Sequence, residues 1–532
     1  MAGGKGTVFV SKAAFKSSTP RLVFFCLVYA MGSIFFGYDG ASFGGVQAFT
    51  PFVRQFGHYN EAKAKYAISS VTISLMNSLP LLGKFTGTVI VGQLTERFGH
   101  KWTMFVTCLV QIVGAIIQVT SHAVPQFVVG RFLVYTAVGL VENVVPTYQS
   151  EIAPAPLRGF FVGSIQLCLT FGSLIAGIVN NSMSKRSDAS GWQIATGIQA
   201  VPAAIILSLL FFTPDSPRWL MYKDRTEDAL KSLRRVRRQE DVDNGVCELE
   251  LAAMLEDERA TKHKGSWFDL FKGTNLRRTT IACSIMALQQ LTGVTFSSSY
   301  GPTFYKSVGL SKMAFAYAAI SNGVSVVTAL IAMIVLDMFG RRDVTFHGCW
   351  SQALFLGLIG GLGSKSNPSS SETEGMVASF IIYAAILHAS LGPSAYITAA
   401  EVGTGSLREK TMAVSTAVNV IVGFVVVFTT PYLMDILGPK LGYVWMGFAI
   451  LGSVWTWFFM PELKGRNLEE IDQLFEAKLP AWRFSDFETT GLGHDIAAME
   501  QGKMDTKLAG ELAEVELEQV ERRNDRSQTA LE

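Results

Sequence analysis

The chain has 532 residues, of which 49% are hydrophobic and 17% charged, with a formal net charge of +2. Soluble proteins carry about 25% charged residues, and the mean hydropathy here is +0.31; the charges cluster and leave long apolar runs that a set of soluble domains would not tolerate. The near-neutral balance points to no acidic or basic partner, and no basic tract forms a nucleic-acid footprint.

A membrane span needs ~20 predominantly apolar residues. The apolar runs predict twelve spans, near 22–47, 68–94, 103–121, 125–150, 160–181 and 192–212, then 279–307, 313–337, 344–363, 376–400, 411–435 and 441–460. Residues 1–21 are a polar, basic tail, so span 1 is expected to act as an uncleaved signal. Between the two sets, residues 214–278 form a charged loop, where Glu227-Asp-Ala-Leu-Lys-Ser-Leu has the spacing of a short amphipathic helix. Residues 461–532 are a second tail, largely polar from Phe487 onward; its Glu-rich end, 511–532, suits a solvated helix or disorder. These bounds divide the chain into tail, six-span half (22–213), loop, six-span half (279–460) and tail. The cysteines (Cys26, Cys108, Cys168, Cys247, Cys283, Cys349) form no CxxC pair, which argues against a disulfide framework or zinc site.

The two sets repeat each other. Glu96-Arg97-Phe98-Gly99-His100-Lys101 returns as Asp337-Met-Phe-Gly340-Arg341-Arg342, Glu151-Ile-Ala-Pro-Ala-Pro-Leu-Arg158 as Glu401-Val-Gly-Thr-Gly-Ser-Leu-Arg408, and Pro214-Asp215 as Pro461-Glu462. The offsets agree at about 240–250 residues, the mark of an internal duplication. Lysine and arginine crowd the loop from Arg218 to Arg278 and the short 2–3 and 8–9 loops (Arg97, Lys101, Arg341, Arg342). The positive-inside rule therefore puts these loops and both termini in the cytoplasm. Asn180-Asn-Ser182 is a glycosylation triplet on the opposite side.

Several motifs carry a resemblance. Gly37-Tyr-Asp-Gly40 lies in span 1, and Gly130-Arg131 followed by Gly139 in span 4. Pro146-Thr-Tyr-Gln-Ser-Glu151-Ile-Ala-Pro closes span 4, and Pro214-Asp-Ser-Pro-Arg218-Trp-Leu closes the first half. Gln289-Gln290-Leu-Thr-Gly293 lies in span 7, and Pro461-Glu-Leu-Lys-Gly465-Arg466 ends the second half. In this order, from Gly37 to Leu474, the chain resembles the fungal sugar porters of the major facilitator superfamily. The resemblance implies an all-α membrane protein of twelve helices in two six-helix halves. It also implies a plasma-membrane secondary transporter that moves a sugar or related polyol by alternating access, importing it with a proton and using no cofactor. An exporter of a small organic metabolite and a transporter-like nutrient sensor remain alternatives on the same fold. The Gly-Pro of drug antiporters is missing from Phe171-Gly-Ser-Leu-Ile-Ala-Gly177, and the tail is shorter than those of sensors. No GxxxxGK[ST], GxSxG or HExxH occurs, so no enzyme is expected.

Asp39 lies inside an apolar span, where a charge costs about 2.5–3.5 kcal/mol on insertion scales. The resemblance makes it the proton site and Arg131 its modulator. Two further charges sit where the family has small or neutral residues. Lys84 in span 2 and Glu142 in span 4 are each costly alone, so they are either a mutual pair acting as structural glue or a second ionisable site. For substrate, the resemblance points to Gln166, Gln289, Gln290 and Asn419, whose amides suit vicinal hydroxyls, with Tyr396 and Phe296 as stacking surfaces. The chain departs from the hexose pattern at Thr295, Ser325 and Tyr396, where the family has asparagine, asparagine and tryptophan. Shorter hydroxyl side chains put glucose in doubt and suit a disaccharide, polyol or cyclitol. Glu96, Arg97, Glu151, Arg158, Asp337, Arg341, Arg342, Glu401 and Arg408 match the family's cytoplasmic lock between halves.

Overall fold

A computed structural model describes residues 19–60, 65–153, 155–243, 247, 251, 266–310, 313–365, 368–404, 407–464 and 468–487. The tail 1–18 and the Glu-rich tail from 488 lie outside the described residues.

Helices fall on all twelve expected spans. Span 1 opens at Pro20, whose fixed φ suits a first helical turn, and Thr19 Oγ1 accepts the Leu22 N–H at 3.1 Å. It runs as Pro20–Ala30 and Gly32–Val46. Spans 2 and 3 form one element, Ser70–Val119, sharply turned at Gly99, whose φ of 83° only glycine adopts without strain. Val124–Ile152, Ala155–Met183 and the pair Ser190–Gly197 and Ala200–Leu210 complete the first set. Span 7 is Gly273–Leu291 and Val294–Ser307, parted at Gly293; span 10 is Ser370–Ala389 and Leu391–Val402, parted at Ser390. Ala314–Phe339, Arg341–Leu362, Arg408–Leu437 and Leu441–Phe459 are spans 8, 9, 11 and 12.

Eight stretches of the described chain are long and apolar enough to cross a bilayer, two of them holding two spans each. Spans 7 and 9 fall outside that set. Span 7 carries Gln289, Gln290, Thr292 and Thr295 around its break, and span 9 starts on Arg341-Arg-Asp343. Span 7 trades apolarity for buried amides, and span 9 for charges at its first turn. Elsewhere Val113, Ile116, Val129, Leu354, Val425 and Trp457 stay exposed, an apolar girdle suited to lipid.

Each six-span set builds its own core. The second is aromatic: Phe296, Phe304, Phe380, Tyr383 and Trp445 interlock. The first packs Phe25, Tyr29, Met104 and Tyr148 near one end, and Phe43, Phe52, Phe127 and Trp192 near the other. Between the sets, span 2 packs on span 11, span 5 on span 8, and span 1 on the second segment of span 7. The amphipathic loop helix is present as Thr226–Val236, burying Ala229, Leu233 and Val236.

One element departs from the sequence reading. The 1–2 connection holds a helix, Thr50–Phe56, and a hairpin pairing His58–Asn60 with Lys65–Ala67, where Tyr59 faces Tyr66. The glycosylation triplet is occupied structurally: Asn180 is buried, and its amide donates to the carbonyls of Ala41 and Ser42 at 3.1 and 3.2 Å.

Candidate functional site

Among the described residues, the first set holds two ion pairs buried in its spans. Spans 1 and 5 touch backbone to backbone, because a side chain on Gly37 would strike the Leu169 carbonyl and one on Gly172 the Ile34 carbonyl. This contact fixes the helix that carries Asp39. Asp39 Oδ2 lies 3.4 Å from Arg131 Nη2, with both side chains at most 3% exposed. The Arg131 guanidinium lies 3.9 Å over the Phe43 ring and donates to Tyr135 Oη at 3.3 Å. Arg131 Nε and Nη1 and Asp39 Oδ2 make no hydrogen bond. The pair is therefore costly as it stands and suited to exchanging partners. Tyr135 and Phe43 were not picked out from the sequence. Tyr135 was within reach, since a residue four along from Arg131 shares its helix face; Phe43 lies one turn along from Asp39.

Lys84 and Glu142 do pair. Gly83, Gly87 and Gly139 let spans 2 and 4 approach until backbone meets backbone, and Lys84 Nζ reaches Glu142 Oε1 at 2.8 Å. The ammonium also lies 5.0 Å from the Phe36 ring centre. Tyr396, on span 10 of the other set, is within electrostatic reach of Glu142.

The second set joins three predicted residues in one amide network. Gln289 Nε2 donates to the Gly392 carbonyl at 2.8 Å, and its Oε1 accepts from Asn419 Nδ2 at 3.0 Å. Gln290 Nε2 donates to Asn419 Oδ1 at 3.0 Å. Gln289 thus ties span 7 to spans 10 and 11. Gln290 Oε1 and Thr295 Oγ1 are buried and have no hydrogen-bond partner. Gln166 and Tyr396 are half-buried. Ser325 instead turns onto its own helix, donating to the Ser321 carbonyl at 2.9 Å. Phe296 is 1% exposed, enclosed by Phe304, Phe380 and Trp445, so its ring faces are taken by the core.

At the end of the bundle nearest the termini, the three sequence echoes converge, once in each set. In the second set, Glu462 accepts the N–H groups of Arg341 and Arg342 at 3.2 and 3.0 Å, capping span 9, while Arg341 Nη2 meets Glu401 Oε1 at 3.3 Å. In the first set, the N–H groups of His100 and Lys101 face the Asp215 carboxyl, and His100 Nε2 lies 3.7 Å from Glu151 Oε2. Burial pushes the Asp215 carboxyl up, opposed by His100 and those N–H groups. Glu151 also accepts from Ser216 Oγ. The carboxylate at each helix start suits the helix dipole. Gly99 and Gly340, with φ of 83° and 94°, leave room for these acids: a Cβ on Gly99 would meet Asp215 Oδ2 at 2.7 Å. These pairs run within each set. Glu96 lends its carbonyl to Trp219 Nε1 at 3.2 Å, Arg97 lies over Phe98, and Arg342 donates to the Trp457 carbonyl. Arg408 is half-buried at the start of span 11. The side chains of Arg158 and Asp337 lie outside the described set.

The opposite end clasps the two sets together. Gln47 Nε2 donates to the Ser299 carbonyl at 2.8 Å, Lys306 Nζ to the Ala48 carbonyl at 2.5 Å, Ser74 Oγ to the Phe428 carbonyl at 2.9 Å and Asn322 Nδ2 to the Ser173 carbonyl at 2.8 Å. Ser70 bonds Asp435.

A family described as sugar (and other) transporter matches residues 25–475. The major facilitator-type transporter ecdD of Aspergillus rugulosus is 30% identical over 465 residues, covering 84% of this chain and 86% of that protein. The hexose transporter HXT10 of Saccharomyces cerevisiae is 30% identical over 471 residues, covering 86% of each. Among solved structures, the proton:xylose symporter XylE bound to 6-bromo-6-deoxy-D-glucose superposes with a TM-score of 0.72 at 23% identity, covering 85% of this chain and 99% of that one. That likeness establishes the major facilitator fold.

Proposed function

The chain belongs to the sugar (and other) transporter family of multi-pass membrane proteins, and on that premise we propose that it imports a sugar or related polyol with a proton across the plasma membrane. The observation that carries this reading is the Asp39–Arg131 pair, buried in the span bundle at 3.4 Å. An acid removed from water favours its neutral form, and a cation beside it favours the charged form. Loading with a proton loosens Asp39 from Arg131. Return of Arg131 to the carboxylate expels the proton. Coupling follows if substrate binding and this exchange bias the same rocking of residues 22–213 against 279–460. Glu142 is a second group able to hold a proton on the same span.

Substrate hydroxyls meet Gln290 Oε1 and Thr295 Oγ1 between the halves, with Tyr396 on the same half and Gln166 on the other. Gln289 and Asn419 brace that surface. With both termini cytoplasmic, the clasp from Gln47 to Asp435 closes the external side. The echoed acid and arginine clusters, paired within each half, are the lock in its open setting. They trade partners across the halves when the protein turns outward.

Uptake of a labelled panel of hexoses, pentoses, disaccharides, polyols and cyclitols by transporter-null cells tests the reading. At least one member should accumulate, faster at acid external pH and not after collapse of the proton gradient by an uncoupler. Efflux without uptake, or uptake indifferent to the uncoupler, contradicts proton-coupled import.

A further inference from the structure

The Lys84–Glu142 pair joins spans 2 and 4 of the first half, and its acid is within electrostatic reach of Tyr396 on span 10 of the second. The geometry points to a carboxylate subsite there: resting on the transport reading above, the substrate is a polyhydroxylated monocarboxylate, such as a sugar acid or a hydroxylated ring acid, with Lys84 as its anchor.

Three observations carry this. First, the Lys84 ammonium has one anionic partner, at 2.8 Å, and otherwise faces the Phe36 ring. A hydroxyl cannot compete with a carboxylate for an ammonium in a dry site, but a second carboxylate competes on equal terms. Second, neither Glu142 oxygen makes a conventional hydrogen bond despite that contact. Among the described residues Lys84 is the one cation set against it, so Glu142 is the partner that an incoming carboxylate can displace. This asymmetry selects an anionic ligand over a cationic one. Third, Glu142 pairs with Lys84 from span 2 and lies within electrostatic reach of Tyr396 from span 10, whereas Arg131, on the same helix as Glu142, is paired with Asp39.

The exchange balances. A proton adds to a Glu142 carboxylate oxygen, the ion pair opens, and Lys84, still protonated, takes the substrate carboxylate. The site carries zero net charge before and after, so this step adds no charge movement to the cycle. The hydroxyls of the same molecule reach Gln290 and Thr295 across the interface.

The experiment compares gluconate and glucuronate with glucose, each as labelled substrate and as competitor, in transporter-null cells expressing the full chain at matched surface level. The wild-type protein should take up or be competed by at least one acid better than by glucose. Lys84→Gln alone leaves Glu142 unpaired and risks misfolding, so the variant for transport is Lys84→Gln/Glu142→Gln. Its acid-to-glucose ratio should fall at least tenfold, and Lys84→Arg should keep more than half of it. Uptake of glucose with no uptake or competition by either acid overturns the subsite and leaves the sugar transport reading standing. An unchanged ratio in the double variant does the same. Absence of transport of every acid and neutral sugar overturns both. Should the double variant fail to reach the surface, the wild-type competition decides.

Discussion

Lys84 and Glu142 meet at 2.8 Å in a site where neither is more than 10% exposed. Removing one charge leaves the other buried and alone, which costs about 3–5 kcal/mol, whereas removing both is close to neutral. Lys84→Gln and Glu142→Gln should each lower the melting temperature of the purified protein by more than the double variant does. Additive losses in a double-mutant cycle contradict the pairing. Gln289 and Gln290 should separate by a different readout. Gln289 has both ends of its amide bound by protein, so Gln289→Ala should lower the melting temperature as well as raise the apparent KM. Gln290 keeps one acceptor unpaired; Gln290→Ala should raise KM about tenfold, the cost of a lost buried hydrogen bond at about 1–3 kcal/mol. Normal KM in Gln290→Ala contradicts its role in binding. The residue types at this site were legible in the sequence, because a charge or amide in an apolar span is expensive and marks itself. Their hydrogen-bond partners were not. Which amide faces the ligand and which faces the next helix depends on helix rotation, and neither spacing nor composition reports that. Ser325 and Phe296 show the same limit: their types suited a sugar, but their helix faces turn them into protein.

At the scale of elements, backbone-to-backbone packing sets where the charges stand. A side chain on Gly37 would strike the Leu169 carbonyl, whereas Gly40, one turn along, faces open space. Overpacking costs about 1–3 kcal/mol, so Gly37→Ala should lose thermal stability and transport together while Gly40→Ala changes stability little. Equal behaviour of the two variants, measured by thermal unfolding in detergent, contradicts the packing argument. The duplicated motifs were the most legible part of the chain, and the structure gives the reason. Each echo supplies one member of a cluster: a tight turn at Gly99 or Gly340, an acid at Asp215 or Glu462, and a carboxylate at Glu151 or Glu401. The tight geometry admits few residue types, so both copies stay readable. The hairpin His58–Asn60 with Lys65–Ala67 was not legible, since three-residue strands leave no alternation to detect.

At the scale of the whole molecule, the clasp at the end away from the termini holds the two sets in one arrangement. Gln47→Ala/Lys306→Ala removes two of its crossing hydrogen bonds. Spin labels at Arg54→Cys and Ile436→Cys should then report a longer distance across that end, with the half-buried Cys168 and Cys283 first replaced by serine; an unchanged distance contradicts the clasp. The same rocking underlies coupling, and coupling rests on Asp39. In proteoliposomes with an imposed inward proton gradient, the wild-type protein should concentrate the substrate identified by the uptake panel above its external level. Asp39→Asn keeps the shape and removes the titrating group, so it should equilibrate the substrate without concentrating it. Accumulation by Asp39→Asn equal to that of the wild type, at matched protein content, contradicts proton coupling through the Asp39–Arg131 pair.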